Sequence, residues 1–238
     1  MRTLAILPVK SFAAAKQRLS DLLGQGSREA LAQAMFSDVL AALRRVKGLD
    51  AVAVVTDDAR AESAARGARV LLLRDREETG QSDATRIGIR HALECSFERV
   101  LLVPGDTPLL DPLEIDGMLT RATAEHLDGV IVPDRGGTGT NALLVRPPDA
   151  FEPSFGPGSL ERHIAAASAS GIKFRVERVR SLMHDVDTPD DLADLGVLLD
   201  ERRGVAPRTR GALHQLDRSN VCGPTARRRP VVPSTATT

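Results

Sequence analysis

The sequence has no tryptophan or tyrosine, six phenylalanines and two cysteines, Cys95 and Cys222, which lie far apart in the chain. So few aromatic rings argue against the stacking platforms on which single-stranded nucleic acids bind. Two distant cysteines provide neither a disulfide framework nor a zinc site. We therefore expect a protein of a reducing compartment whose fold depends on neither disulfides nor zinc.

The chain also lacks an excess of charge and a long apolar run. Its 32 basic and 32 acidic residues balance, which argues against a nucleic-acid partner. No apolar run approaches the roughly 18 residues that span a bilayer, and the first residues enter a strand without a signal-peptide pattern. These features predict a cytoplasmic protein with no membrane partner, and a homodimer is the default assembly to expect.

One buried strand organises the rest of the pattern. Residues 100–103 are all aliphatic and are followed at once by Pro104 and Gly105, which is typical of a central strand in a parallel sheet. Asp106 then lies just past the carboxyl end of this strand, where open α/β sheets bind ligands. A carboxylate there can hold Mg²⁺ against a nucleotide phosphate, although it could equally cap the following helix.

Strand and helix patterns alternate along residues 1–200. Apolar runs at residues 3–9, 51–56, 68–73, 100–103 and 129–133 are separated by segments with helical spacing. This alternation predicts a single-domain α/β fold with a doubly wound, mainly parallel, Rossmann-like sheet. A short antiparallel hairpin insertion is also expected, with a hairpin-like strand between the glycine-rich stretches at residues 136–141 and 155–158.

Three cations follow the first strand. Lys10, Lys16 and Arg18 suit a polyphosphate site, lysine as a point charge and arginine as a bidentate fork. A solvated charged loop is the plainer alternative. The P-loop pattern is absent, so an ordinary P-loop ATPase is excluded.

Two glycine-rich stretches can bind a small anion. Residues 136–141 combine three glycines with Thr138, Thr140 and Asn141, and residues 155–163 place Ser159 where it could cap a helix. Backbone amides in such turns and at helix N-termini point toward anions. Together they predict a pocket for a phosphorylated or carboxylated substrate. His163 is expected on the surface of the following helix.

Two aspartates near the C-terminal helix are left without a capping role. Thr188 and Asp191 form a pattern typical of a capping box, with Pro189 at the first helical position. Asp185 and Asp187 lie two residues apart in an extended segment and so point to the same side. Either can supply a second carboxylate for a metal shared with Asp106.

The composition changes at about residue 201. Residues 201–238 contain eight arginines and two acidic residues, with proline, serine and threonine and no apolar period. We expect a basic, mostly disordered C-terminal tail.

Five motifs in order carry a family resemblance: Leu-Pro-Val-Lys with Lys-x-Arg-Leu-Ser, Pro-Gly-Asp-x-Pro-Leu-Leu, Gly-Thr-Asn-Ala-Leu-Leu, Phe-Gly-x-Gly-Ser-Leu-x-x-His and Asp-Val-Asp-Thr-Pro-x-Asp-Leu. Over residues 1–200 the chain resembles the guanylyltransferases of deazaflavin coenzyme (coenzyme F-420) biosynthesis, which belong to the GT-A-like nucleotidyltransferase superfamily. The resemblance implies a nucleotide-diphospho-sugar transferase-like fold. It also implies Mg²⁺ bound by Asp106 and Asp187, with Asp185 as the alternate ligand.

The same resemblance implies roles for further residues. The acceptor-binding positions of the family correspond to Thr140, Gly156 and Ser159, and the catalytic set to Lys16, Arg18 and Asp106. The implied nucleotide-binding residues are Pro8, Lys10, Lys16, Arg18, Asp83 and Gly105. Two departures stand out: residues 11–15 replace the glycine-rich first loop of the superfamily, and Asp83 stands where relatives often have asparagine.

The implied partners are GTP and a small phosphorylated carboxylic acid. The expected reaction transfers GMP to phosphoenolpyruvate, with 2-phospho-L-lactate and 3-phosphoglycerate as alternatives. The high alanine and arginine content indicates a GC-rich bacterial genome, and bacterial relatives mostly resemble phosphoenolpyruvate enzymes. Three rival hypotheses remain: a GT-A glycosyltransferase, a molybdopterin-type nucleotidyltransferase and a non-catalytic GTP-binding regulator. The molybdopterin-type enzyme would be expected to keep the glycine-rich first loop that is missing here. A glycosyltransferase would typically have Asp-x-Asp after the central strand, where Thr107 and Pro108 follow Asp106 here.

Overall fold

The structure is a computed structural model that describes residues 1–75 and 81–221. Within these ranges the strands form one seven-stranded sheet in the order β3-β2-β1-β4-β6-β5-β7. The strands are β1 (Thr3–Pro8), β2 (Ala51–Thr56), β3 (Leu71–Arg74), β4 (Arg99–Leu102), β5 (Gly129–Pro133), β6 (Thr140–Val145) and β7 (Phe174–Val176). The sheet is parallel except at β6, which runs antiparallel to both β4 and β5.

Helices cover both faces of the sheet. They are α1 (Gln25–Leu43), α2 (Ala59–Ala68), α3 (Gln81–Glu94), α4 (Pro112–Ala124), α5 (Ser159–Ala169), α6 (Pro189–Glu201) and α7 (Pro207–Val221). Side chains alternate along the strands, so Ala5 and Leu7 pack with α1, α2 and α4 on one face, while Leu4 and Ile6 pack with α3 and α5 on the other. The prediction of a doubly wound, mainly parallel α/β sheet is confirmed.

The antiparallel hairpin is confirmed too, and it lies within the sheet. Strands β5 and β6 pair antiparallel, and β6 enters between β4 and β5. As a result the first residue of β6, Thr140, lies at the same sheet edge as the carboxyl end of β4. The hairpin therefore brings the first glycine-rich stretch next to Asp106.

The C-terminal region corrects the prediction of a disordered tail. Residues 207–221 form α7, which packs against α1, and Leu213 and Leu216 lie against a core that includes Leu31 and Met35 of α1. These two leucines lie three residues apart, as one face of a helix requires, within a sequence otherwise rich in arginine. The prediction was therefore wrong for residues 207–221, and residues 222–238 lie outside the described residues.

Asp38 of α1 holds the first turn of α7. Its carboxylate accepts hydrogen bonds from the backbone N–H of Arg208 (3.3 Å), from the backbone N–H of Thr209 (2.8 Å) and from the Thr209 hydroxyl (2.8 Å). Asp38 is 5% exposed and Thr209 is fully buried. A carboxylate at a helix N-terminus satisfies free N–H groups and interacts favourably with the helix dipole.

No helix within residues 1–75 and 81–221 is both long and apolar enough to cross a membrane.

Replacing Asp38 by alanine should lower the free energy of unfolding by about 1–3 kcal/mol, because three donors at the start of α7 lose their acceptor. Urea unfolding followed by circular dichroism measures the change. The control is Ser37→Ala, since the Ser37 hydroxyl bonds only to the Gln33 carbonyl of its own helix; it should change stability by less than about 0.5 kcal/mol. Equal stability of the two variants would contradict the capping role.

Candidate active site

The site forms where β1 and β4 end side by side. The two strands pair in parallel, so the loop after Pro8 and the loop after Leu102 leave the same edge of the sheet. The first loop carries Lys16 and the second carries Asp106. The segment before α6 brings Asp187 to the same place, across 171 residues of sequence from Lys16.

Lys16 bridges the two aspartates. Its ammonium donates to Asp106 Oδ2 at 2.6 Å and to Asp187 Oδ1 at 3.0 Å. Arg18 lies at the edge of this cluster, with its guanidinium 4.0 Å from Asp187 Oδ2 and its side chain 70% exposed. Lys16 also adopts a left-handed backbone conformation (φ 55°), which costs a residue other than glycine about 1 kcal/mol.

The electrostatics keep Lys16 charged. Burial alone would lower the pKa of Lys16, but the adjacent charges of Asp106 and Asp187 outweigh burial and raise the pKa above its usual value. The Lys16 side chain is 7% exposed, against 28% for Asp106 and 45% for Asp187. The cation is therefore held inside the protein, while Asp187 keeps an open side.

The carboxylates of this cluster suit Mg²⁺. Asp106 Oδ1 is buried and has no hydrogen-bond partner, so one hard oxygen is left without a donor. Among the described residues no group of three or more histidine, cysteine or acidic side chains is arranged to hold a metal. Mg²⁺ usually takes one or two protein carboxylates and completes its coordination shell with water and substrate phosphate. A pair of aspartates therefore suits this ion, and a cage of protein ligands alone is not required.

Asp185, the predicted alternate ligand, lines a cavity together with Asp106 and Asp187, but one of its oxygens is already bonded. Its Oδ1 accepts a hydrogen bond from Asn141 Nδ2 at 3.0 Å, and the same amide donates to the Leu182 carbonyl at 2.8 Å. Burial raises the pKa of Asp185, and the Asn141 bond only partly offsets this effect. Of the two candidates, Asp187 is the one in contact with Lys16.

Two cavities meet at Asp106 and Asp187, and both aspartates line each cavity. The first cavity, of about 360 Å³, is also lined by Pro8, Lys10, Lys16, Met35, Phe36 and Gly105. The second, of about 330 Å³, is also lined by Arg18, Thr138, Thr140, Asn141, Gly156 and Ser159. The predicted nucleotide-binding residues thus gather mainly on one side of the aspartates, and the predicted acceptor-binding residues gather on the other.

Asp83 is separated from the other predicted nucleotide-binding residues. It lies in the first turn of α3 and forms an ion pair with Arg86 at 2.6 Å. The adjacent residue Ala84 lines the first cavity, whereas Asp83 does not line it. A role for Asp83 in binding the nucleotide stays a prediction.

Ser159 is the first residue of α5 rather than its cap. The cap is Gly158, which has a φ of 71°, and Ser159 is 2% exposed and faces the second cavity. The capping box predicted before α6 is confirmed, because Thr188 and Asp191 exchange side-chain to backbone hydrogen bonds.

His163 corrects a second expectation. The sequence predicts it on the surface of a helix, but it is fully buried. Its Nδ1 lies 2.9 Å from Thr140 Oγ1, and its Nε2 accepts a hydrogen bond from the Ser154 backbone N–H at 2.9 Å. Burial, together with the charge of Arg162, lowers its pKa to about 4.

The sequence held a weak signal for this burial. The buried residues of α5 are Ser159, His163 and Ala167, which recur every four positions and so share one face of the helix. None of the three is strongly hydrophobic, so this buried face carries no apolar stripe in the sequence.

Comparisons with known proteins agree on one family. Residues 3–207 match the family model described as "Guanylyl transferase CofC like". The chain is 49% identical over 220 residues to a phosphoenolpyruvate guanylyltransferase from Conexibacter woesei, covering 92% of this chain and 99% of that protein. It is 37% identical to a 2-phospho-L-lactate guanylyltransferase from Methanothermobacter thermautotrophicus, covering 82% and 84%.

Solved structures agree on the fold. A crystal structure from Desulfovibrio desulfuricans G20, of a protein assigned as a nucleotide-diphospho-sugar transferase, superposes with a TM-score of 0.70 at 18% identity, covering 92% of this chain and 96% of that one. The predicted nucleotide-diphospho-sugar transferase-like fold is therefore confirmed.

The lowered pKa of His163 makes stability depend on pH. In the unfolded chain this histidine takes up a proton below about pH 6.5, whereas in the folded protein it stays neutral down to about pH 4, so acid favours unfolding across that window. The stability advantage of the wild type over His163→Asn should shrink by up to about 3 kcal/mol between neutral pH and pH about 4.

Urea unfolding of both proteins across that pH range tests this. His214→Asn is the matched control, because it makes the same substitution at a histidine that lies exposed on α7. A constant difference between wild type and His163→Asn would contradict the buried, neutral imidazole.

Proposed function

Because this chain belongs to the CofC-like guanylyl transferase family, it is a nucleotidyltransferase, and we propose that it transfers GMP from GTP to phosphoenolpyruvate in coenzyme F-420 biosynthesis. The products would be enolpyruvoyl-2-diphospho-5'-guanosine and pyrophosphate. The observation that carries the proposal is the pair of cavities that share Asp106 and Asp187. Two substrates bound in them would meet at the carboxylates.

The first cavity suits the nucleotide. Lys10 and Lys16 supply positive charge for a triphosphate, and Phe36 and Met35 supply an apolar wall. The second cavity suits a small anion, because the hydroxyl of Thr140, the glycine-rich backbone at Gly156 and the side chain of Arg18 line it.

The choice of acceptor rests on the relatives. The proposal takes phosphoenolpyruvate because a protein of that named activity is 49% identical over almost its whole length. The alternatives are 2-phospho-L-lactate, named for a relative at 37% identity, and 3-phosphoglycerate. All three acids offer one phosphate and one carboxylate to the same donors, so the second cavity accepts any of them on chemical grounds.

In the proposed reaction an oxygen of the acid's phosphate forms a bond to the α-phosphorus of GTP. The bond from that phosphorus to the bridging oxygen of the β-phosphate breaks, and pyrophosphate leaves with the electron pair. Phosphate oxygens are already nucleophilic at neutral pH, so the protein needs no covalent intermediate. Catalysis then depends on positioning and on neutralising charge.

Lys16 and Arg18 are suited to neutralising charge. Lys16 is held rigidly between two carboxylates and keeps its charge, so it can neutralise phosphate oxygens of the nucleotide. Arg18 is exposed and lines the second cavity, where its guanidinium can bind phosphate bidentately.

Asp106 and Asp187 would hold Mg²⁺. When bound there, Mg²⁺ would supply positive charge to the phosphate oxygens and hold the two substrates in register. The unpartnered Oδ1 of Asp106 supports this proposal. The location in the cytoplasm and the homodimer stay predictions.

Pyrophosphate release from GTP and Mg²⁺ should require a phospho-acid. We expect release with phosphoenolpyruvate, and none when ATP or CTP replaces GTP; chelating the metal with EDTA should abolish it and added Mg²⁺ should restore it. Parallel wells with 2-phospho-L-lactate and 3-phosphoglycerate identify the acceptor. Release with another acid alone would correct the acceptor, and silence in every well from folded protein would refute the guanylyltransferase proposal.

Asp106→Asn should lower kcat by about 10²-fold or more, because an amide oxygen neither balances Lys16 nor binds Mg²⁺ as a carboxylate does. Asp57→Asn is the matched control: Asp57 follows β2 at the same sheet edge and lines neither cavity. It should stay within about twofold of wild type. Far-UV circular dichroism verifies folding, and near-normal turnover of Asp106→Asn would remove Asp106 from the mechanism.

A further inference from the structure

The buried imidazole of His163 connects two walls of the second cavity. Thr140, bonded to Nδ1, comes from the start of β6, and Ser154, bonded to Nε2, comes from the loop before α5. His163 itself lies one helical turn after Ser159 on α5. One side chain thus touches the structural elements that carry all three predicted acceptor-binding residues.

The hydrogen bonds fix where the imidazole carries its proton. The backbone N–H of Ser154 can only donate, so Nε2 must be the unprotonated acceptor. The neutral ring then carries its proton on Nδ1 and donates it to Thr140 Oγ1. Thr140 Oγ1 therefore accepts the hydrogen bond from the imidazole. Its own hydroxyl proton remains available, and Thr140 can donate it to an anion in the cavity.

The surroundings hold this arrangement in place. The ring of Phe155 meets the imidazole edge-on at 5.1 Å between centroids, and Phe151 lies at 6.2 Å. His163 is fully buried, so water does not compete for its nitrogens. The Phe155 backbone N–H donates to Ser82 Oγ at 3.2 Å, which fastens the same loop to α3.

The adjacent residue Arg162 orients the loop from outside. Its guanidinium donates to the carbonyl oxygens of Ser154 (3.0 Å), Phe155 (3.2 Å) and Pro157 (2.6 Å). In a trans peptide the N–H points opposite to the C=O, so the N–H of Gly156 is turned away from Arg162. Gly156 lines the second cavity.

We propose that His163 is the positioning residue of the acceptor site: it orients the Thr140 hydroxyl as a donor and ties it to the 154–158 loop, so that a phosphorylated acid meets a preformed set of donors. This inference rests on the proposed function, since it assigns the second cavity to the acid. It predicts that His163 affects binding of the acid and not of the nucleotide.

Three variants separate the two bonds. His163→Leu removes both of them. His163→Asn keeps an amide N–H near the position of Nδ1, within reach of Thr140, and loses the acceptor for Ser154. Thr140→Val removes the hydroxyl while preserving the shape of the side chain.

Steady-state kinetics of pyrophosphate release with GTP and phosphoenolpyruvate give the readout. His163→Leu should raise the KM for the acid by about tenfold or more, with the KM for GTP within about twofold of wild type. His163→Asn should recover a large part of that loss. Combining His163→Leu with Thr140→Val should cost less than the sum of the single changes, because both act on one hydroxyl.

A merely structural role gives a different result. It would change both KM values together, or lower kcat alone, and asparagine would not rescue it; any of these outcomes would overturn the inference. If His163→Leu fails to fold, His163→Asn and Thr140→Val carry the test. Nitrogen-15 NMR of the wild-type histidine side chains supplies a readout independent of activity, in which a proton on Nε2 of His163 would also overturn it.

Failure of the proposed function looks different. Wild-type protein that releases no pyrophosphate with any acid would refute the guanylyltransferase proposal, whatever the NMR shows. An active wild type whose His163 variants bind acid and GTP normally would leave the function intact and overturn the role of His163 alone.

Discussion

The ion bridge from Lys16 to Asp106 and Asp187 is the interaction on which the rest of the site depends. It joins the loop after β1, the loop after β4 and the segment before α6, which are far apart in the chain. Lys16 is held there in a left-handed conformation and almost out of solvent. Buried charges are stable only when they are paired, so the three segments must stay together for the cluster to exist. Because Asp106 and Asp187 line both cavities, this cluster also forms the boundary between them.

The division into two cavities explains how one small domain can handle two anions. Polyphosphate and phospho-acid repel each other in water, and a single open cleft would have to bind both against that repulsion. Here cations line both sides of the boundary: Lys10 and Lys16 line the first cavity and Arg18 lines the second. Neutral donors such as Thr140, together with the carboxylates of Asp134 and Asp185, complete the lining of the second cavity.

Much of the fold was predictable because its signals are local. Aliphatic runs between polar loops indicated the strands, and the Thr188 capping box lies within four residues of sequence. The approach of Lys16 to Asp106 was predictable too, since parallel strands place their carboxyl ends at one edge. Asp187 does not directly follow a parallel strand, and only the family resemblance paired it with Asp106 in preference to Asp185. His163 was not, because its burial depends on Phe151, Phe155 and Thr140, which only the folded chain brings around it. Nor was α7, because its stability comes from Asp38 and from the face of α1, not from its own arginine-rich composition.

Helix α7 has a consequence for the nucleotide side of the molecule. Met35 of α1 lines the first cavity and also belongs to the hydrophobic core that α6 and α7 cover. The same side chain therefore forms part of the cavity wall and part of the surface on which α7 packs. A recombinant fragment cut at residue 200 would keep all the predicted catalytic and substrate-binding residues and still uncover the back of that wall. The functional unit therefore includes α7, which packs behind the cavity wall, and it extends beyond the last residue that faces a substrate.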